Sequence, residues 1–269
     1  MRLDKVLLVF RKDWLEVRRN WQILFPILLV PMIFCILLPS IILLIPESSS
    51  DPGDLGGLLS ILPEVIRTEI AGFNENQTIA YLMLTFVFMP FFLLIPAMAS
   101  SVIASDSFAG EKERKTIEGL LATPLTDAEL MVGKMLVAFV PSMLVTFASF
   151  AAYTAIVDFL GFPLFGRFVL PNINWVLSIF LLAPAVAMAG IAVTVIVSAR
   201  VKGFRESQQL SVLIIVPIMG LVVGQALGVL LLVPEVIIIL FVVFTIIDLI
   251  ILRIGLGMFE REEILSRIR

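Results

Sequence analysis

Long apolar runs separated by short charged segments set the pattern of this chain. A helix needs ~20 predominantly apolar residues to cross the hydrocarbon core of a bilayer. Six runs reach that length: Ile23–Ile45, Ile79–Ala104, Val132–Leu160, Trp175–Ser198, Leu210–Val233 and Val236–Gly257. The third is long enough to tilt or to project past the membrane. Only Pro234 and Glu235 part the fifth from the sixth, which predicts a tight helical hairpin, with a re-entrant pair as the alternative. Ahead of the first run, Leu3, Leu7, Phe10, Trp14, Val17 and Trp21 recur every third or fourth residue, the period of one helix face. Arg2, Lys5, Arg11, Lys12, Arg18 and Arg19 accompany that stripe. The pattern predicts a basic, aromatic-edged helix lying flat at the membrane surface. The expected fold is therefore an all-α membrane protein. It has an interfacial elbow helix in residues 1–22, a six-span domain over 23–257 and a tail over 258–269.

Charge orients the spans, because lysine and arginine collect on the cytoplasmic side. The N-terminal segment holds the six basic residues just named. Lys112, Arg114, Lys115 and Lys134 follow the second span, Arg200, Lys202 and Arg205 follow the fourth, and Arg253, Arg261, Arg267 and Arg269 end the chain. Of the 19 basic residues, that leaves Arg67 and Arg167 for the other side. Both termini and the 105–131 loop are expected in the cytoplasm of a cell carrying this protein in its inner or plasma membrane. The outer loop, 46–78, is acidic, and Leu55, Leu58, Leu59, Leu62, Val65, Ile66 and Ile70 recur in it at helical spacing. That spacing predicts a surface helix capping the bundle or covering a translocation path.

Composition narrows the chemistry. Hydrophobic residues make up 60% of the chain and charged ones 15%, too few charges to solvate a soluble domain of 269 residues. The lone cysteine, Cys35, excludes an intrachain disulfide, and with no histidine there is no imidazole metal ligand, proton relay or Ser-His triad. The first apolar run is too long for a signal-peptide core and lacks a small-residue cleavage pattern, so it is read as a retained span. Neither a cofactor nor nucleic acid is expected.

The least lipid-like interior segment runs from Phe108 to Thr126. Gly110 and Pro124 bracket a short helix there. Glu111, Glu113, Arg114, Lys115 and Glu118 make it polar, while Ile117, Leu120 and Leu121 give it an apolar edge. A short helix across the base of a bundle is a docking surface, with apolar anchors filling a pocket and charges fixing register. Gly110-x4-Lys115-Thr116 imitates a phosphate loop, but Arg114 stands where the second glycine belongs and no strand precedes it. Nucleotide binding through that motif is excluded.

The stretch GEKERKTIEGLLATPLTDAELMVGK, Gly110 to Lys134, resembles the signature loop of the ABC-type-2 exporter permeases, membrane subunits of one class of ATP-binding-cassette transporters. Thr116, Glu118, Leu120, Leu121, Thr123, Pro124, Gly133 and Lys134 match its pattern; Lys115 departs from it, a glycine being common there. The elbow helix and the tail from Met258 to Leu265 also have counterparts. The resemblance implies that the loop is a coupling helix seated on a separate ATPase subunit, with Glu111, Glu113, Arg114, Thr116, Glu118, Leu120, Leu121 and Pro124 at the contact. It also implies that ATP is bound by that partner, and that a second permease copy, identical or similar, completes the assembly.

Within the membrane, Asp248 is costly to bury and marks a candidate substrate path, unless Arg253 pairs with it or both reach the interface. Asp158 falls near the outer end of the third span. Gly220, Gly224 and Gly228 repeat every four residues, a pattern that lets two helices approach closely, within the subunit or between copies. Prolines at 26, 31, 39, 90, 96, 141, 184 and 217 permit kinks. Three functions remain open from the residues alone: an exporter permease, a stand-alone secondary transporter or ion (sodium) efflux component, and a non-transporting membrane scaffold. An apolar path favours lipid-like or amphipathic cargo for the first.

Overall fold

A computed structural model describes residues 2–44, 64–116, 125–201, 203–227 and 231–258. Among them, α1 spans Leu3–Val17 and a short α3 spans Glu64–Glu69. Six further helices are long and apolar enough to cross a membrane: α2 Trp21–Leu44, α4 Glu75–Glu113, α5 Asp127–Phe165, α6 Ile173–Arg200, α7 Phe204–Gln225 and α8 Pro234–Gly255. The chain is an all-α, multi-pass membrane protein.

Polar side chains fix where these helices begin. The Asn20 side chain accepts from the Gln22 amide to start α2, and that of Asn172 from the Trp175 amide to start α6. Reciprocal capping boxes open α4 (Asn74 with Gln77) and α5 (Thr126 with Glu129), satisfying amides that the first turn leaves unpaired. Gly166, at φ 67°, ends α5 in the left-handed conformation that favours glycine. Asp158 then accepts from the amides of Val169 and Leu170 at 2.9 and 3.0 Å, so its carboxylate holds the turn into α6.

Helices α4 and α6 form the centre, with 72% and 67% of their most apolar windows buried, against 17% for α2 and α8. The outer pair thus leave most of their apolar surface for lipid or another chain. Packing follows that plan: α6 lies against α4 and α8, and α5 lies against α4 and α1. Helix α7 begins at Phe204, earlier than expected from the apolar run, because its first turns are a polar amphipathic segment. Leu231–Val233 are non-helical ahead of α8, so the connection is wider than the two-residue hairpin expected.

The end of the bundle carrying α1 is called the basal end. A hydroxyl seam runs through it. Thr194 of α6 donates to Ser211 of α7 at 2.9 Å, Ser198 and Ser207 share a bond of 2.9 Å, and Ser207 reaches Ser105 of α4 at 3.2 Å. Small residues let these helices meet. A Cβ on Gly190 would stand 2.5 Å from Ser100 Oγ and 3.0 Å from the Ala97 carbonyl oxygen. Gly190→Val should therefore force α4 and α6 apart at a cost of roughly 1–3 kcal/mol. Thermal unfolding of the purified variant reads this directly; an unchanged midpoint would contradict the packing described.

Helix α1 packs on the bundle through a face that the expected stripe did not mark. The face packed on α5 is Val6, Val9, Asp13 and Val17, whereas Leu3, Leu7 and Trp21 of the expected stripe are exposed. Gly133 allows the approach, since a Cβ there would come within 2.8 Å of the Val9 side chain. Two apolar faces exist where one was expected. The surface helix expected around residues 55–70 falls largely outside the described residues; within α3 and just after it, Ile66 and Ile70 are buried.

Candidate functional site

Charged side chains from three helices converge at the basal end. Helix α1 contributes Lys12, Asp13 and Glu16, the last turns of α4 contribute Asp106, Ser107 and Glu111, and α5 contributes Lys134. Residues Asp106–Gly110 form a π-helical turn, which puts carbonyl oxygens outside the regular helical ladder. Lys134 uses that opening. Its ammonium donates to the Ser107 carbonyl oxygen and to Glu111 Oε2, lies 3.7 Å from Asp13 Oδ2, and sits 5.6 Å from the centre of the Phe108 ring. Its side chain is 3% exposed and that of Glu111 1%, so neither charge is relieved by water.

Lys12 completes the core, at 2.5 Å from Glu111 Oε1, 3.1 Å from Asp13 Oδ1 and 3.5 Å from Glu16. The Asp13 contact is an ion pair without hydrogen-bond geometry, and Asp13 Oδ2 accepts from Ser107 Oγ at 2.9 Å instead. Partial burial works against the charge on Lys12. The bond to Glu111 and the nearby Asp13 and Glu111 carboxylates together outweigh it, holding its pKa above the ordinary lysine value. The carboxylates of Asp13, Glu16 and Glu111 lie close enough to hold a metal ion, with ligand atoms within 4.8 Å of one another. Lys12 and Lys134 pair with these carboxylates and the Arg114 guanidinium reaches Glu16, three cations against three anions, so the cluster reads as an ion-pair core.

The same short segment reaches the opposite way. Lys112 donates to the Val201 carbonyl oxygen at the end of α6 at 3.0 Å, and the Glu113 carboxylate accepts from the Phe204 amide that opens α7 at 2.8 Å. Gly203 permits that contact, because a Cβ there would lie 2.6 Å from the carboxylate. Arg114 turns back to Asp106 at 2.9 Å and to Glu16 at 3.8 Å. Residues 111–114 thus fasten α1, α5, α6 and α7 to the base of α4.

Of the residues expected at the coupling contact, Glu111, Glu113, Arg114 and Thr116 are placed here. Glu118, Leu120, Leu121 and Pro124 lie outside the described residues. Thr116 folds back, its amide donating to the Glu111 carbonyl oxygen at 3.0 Å. Lys115 stands at φ 58°, a left-handed conformation costing a non-glycine residue roughly 1–2 kcal/mol. That explains why a glycine suits this position. Glu111–Glu113 is helical and continues α4, so the false phosphate-loop motif has no strand-to-loop context.

Farther from the base, Asp248 lies on the buried stripe Ile237, Phe244, Asp248 and Gly255 of α8. That stripe faces α6, as the fit of Gly255 against Val195 shows. Asp248 Oδ1 has no hydrogen-bond partner, and Arg253 is exposed and makes no ion pair with it. Gly220 is exposed, with nothing within 4 Å of a Cβ placed on it; Gly224 is half-buried, and Gly228 lies outside the described residues. A small cleft between α4 and α7 is lined by Met98, Ser101, Val102, Gln208, Ser211 and Ile215, and the Ser101 hydroxyl is unpaired.

Sequence reasoning missed a second polar anchor. Helix α4 makes another π-helical turn at Met83–Val87, and Pro90 withholds the amide that the Phe86 carbonyl would otherwise accept. Three other spans supply donors. Tyr153 of α5 bonds the Leu84 carbonyl at 2.7 Å, Trp175 Nε1 of α6 the Thr85 carbonyl at 2.9 Å, and Gln225 of α7 the Phe86 carbonyl at 2.8 Å. Gln225, closing the apolar stretch Val212–Gly224, was the available signal. At the basal end, the signals were Asp13 interrupting the valine spacing and Lys134 opening a span.

Residues 7–240 match the sequence family described as ABC-2 family transporter protein, most of the chain's length. No curated protein matches the chain.

Proposed function

This chain belongs to the ABC-2 transporter family, and from that premise we propose that it is the permease subunit of an ATP-binding-cassette exporter driven by a separate ATPase chain. Two permease copies and two ATPase subunits make the working unit, in a cell membrane with the basal end and both termini in the cytoplasm. The 117–124 segment docks on the ATPase. One observation carries this reading: the chain entering that loop, Glu111–Arg114, and the chain leaving it, at Lys134, are locked to each other by a buried ion pair and to α1, α6 and α7 by a further ion pair and hydrogen bonds. A push on the loop therefore moves several helices together, since a buried charge pair cannot separate without leaving both partners uncompensated. Binding energy from nucleotide closure in the partner would then bias the bundle between two arrangements.

Photolabelling of the purified assembly with azido-ATP should mark a partner chain. Label on this chain in the absence of a partner would overturn the reading. A second reading, a stand-alone ion transporter, draws on the unpartnered Asp248 carboxyl oxygen. It predicts transport by the isolated chain in vesicles without ATP, an activity that Asp248→Asn abolishes.

A further inference from the structure

Helix α1 sorts its charges between two faces. Its inward face gives Lys12 and Asp13 to the buried network, and Lys5 lies 3.9 Å from Glu129. Arg11, Arg18 and Arg19 point away from the bundle, exposed, and none makes an ion pair with a carboxylate among the described residues. Arg18 instead lies 6.0 Å from the centre of the Trp14 ring. Beside these arginines on α1 stand Leu3, Leu7, Leu8 and Leu15, each 49–67% exposed, and Trp21 follows at 68%. Leu7, Arg11, Trp14 and Arg18 are spaced 4, 3 and 4, so cation and apolar side chain share one helix face.

We propose that this outward face of α1 is a binding surface for acidic phospholipid headgroups. Exposed leucines rule out bulk water as its natural neighbour. Residues 18–20 alone separate α1 from α2, whose mean hydropathy of 2.9 fixes it in the bilayer. The face therefore begins at the membrane boundary, where leucines enter the acyl region and guanidinium groups meet phosphate. Arginine suits that role, because its planar fork donates two parallel hydrogen bonds to one phosphate. A protein partner would also meet exposed leucines. The continuity of this face with the first span, and its three unneutralised cations, favour an anionic lipid surface instead. The surface also has a consequence for the site above: α1 has headgroups on one side and the Glu111–Lys134 pair on the other. The binding itself rests on the membrane location and not on ATPase coupling, so its failure would leave the permease reading standing.

The test uses the purified full chain, with any partner it carries, in nanodiscs of phosphatidylcholine mixed with phosphatidylglycerol. Native mass spectrometry measures the phosphatidylglycerol retained relative to the bulk mixture. Wild type should retain it in excess, and the excess should fall as salt rises. Each arginine near an anionic surface contributes about fivefold, so R11Q/R18Q/R19Q should lose roughly tenfold or more of the enrichment. R11K/R18K/R19K, which keeps the charge, should retain much of it and controls for folding. Equal enrichment in the glutamine variant overturns the proposal, as does a wild-type preference that salt leaves unchanged. Loss of a protein partner with lipid retention intact would also overturn it, assigning the face to that protein.

Discussion

Lys134→Met should destabilise the protein by about 3–5 kcal/mol, the cost of removing one partner from a buried ion pair. Methionine fills similar space but provides no charge or donor. Glu111 Oε2 and the Ser107 carbonyl oxygen lose their ligand, and the Glu111 and Asp13 carboxylates are left facing each other with only Lys12 between them. The cost arises from stranded charges rather than from lost attraction. The double variant Lys134→Met/Glu111→Gln should therefore be less damaged than the single one, a coupling that a double-mutant cycle isolates. Thermal unfolding in detergent reads both. A single variant as stable as wild type would mean that water reaches the cluster and that it is not a lock.

The six spans were legible because bilayer thickness and hydropathy constrain them almost alone: from Trp21 to Gly255, the observed helices overlap every expected run. The transporter family was legible in the stretch from Gly110 to Lys134, whose residue pattern resembles the family's signature loop. What was hidden was direction. Leu3 and Leu7 share a 3.6-residue period with Val17, yet the helix buries Val6 and Val9, because Gly133 on α5 admits valine and α5 is remote in sequence. The ion network was hidden for the same reason: Lys12 and Glu111 meet across 99 positions. Backbone carbonyls as acceptors leave still less trace. Nothing in the residue types of Leu84–Phe86 announces a π-helical turn, although Pro90 and the isolated Gln225 were each half of the signal. Lys115 shows the converse, since its departure from a common glycine marked a left-handed residue.

The second large effect concerns the loop itself. Leu121→Asp places a carboxylate in the pocket proposed on the ATPase, and Glu118→Arg reverses a charge that sets register; each should cost about 2–5 kcal/mol of binding if the contact is buried. Both variants should fold and insert, which expression level and membrane fractionation check. Transport should fail with them, along with substrate-stimulated ATP hydrolysis, while the partner's basal hydrolysis persists. A solvated loop would instead tolerate both changes, and transport at wild-type rate with wild-type expression would remove the loop from the mechanism.

Purification of the tagged chain from native membranes in mild detergent tests the central claim most directly, with the bound proteins identified and ATP hydrolysis by the eluate measured. The expected result is an ATP-binding-cassette ATPase in near-equal amount and vanadate-sensitive hydrolysis, both lost with Leu121→Asp. Intact chain recovered in quantity with no ATPase and no hydrolysis would contradict the account.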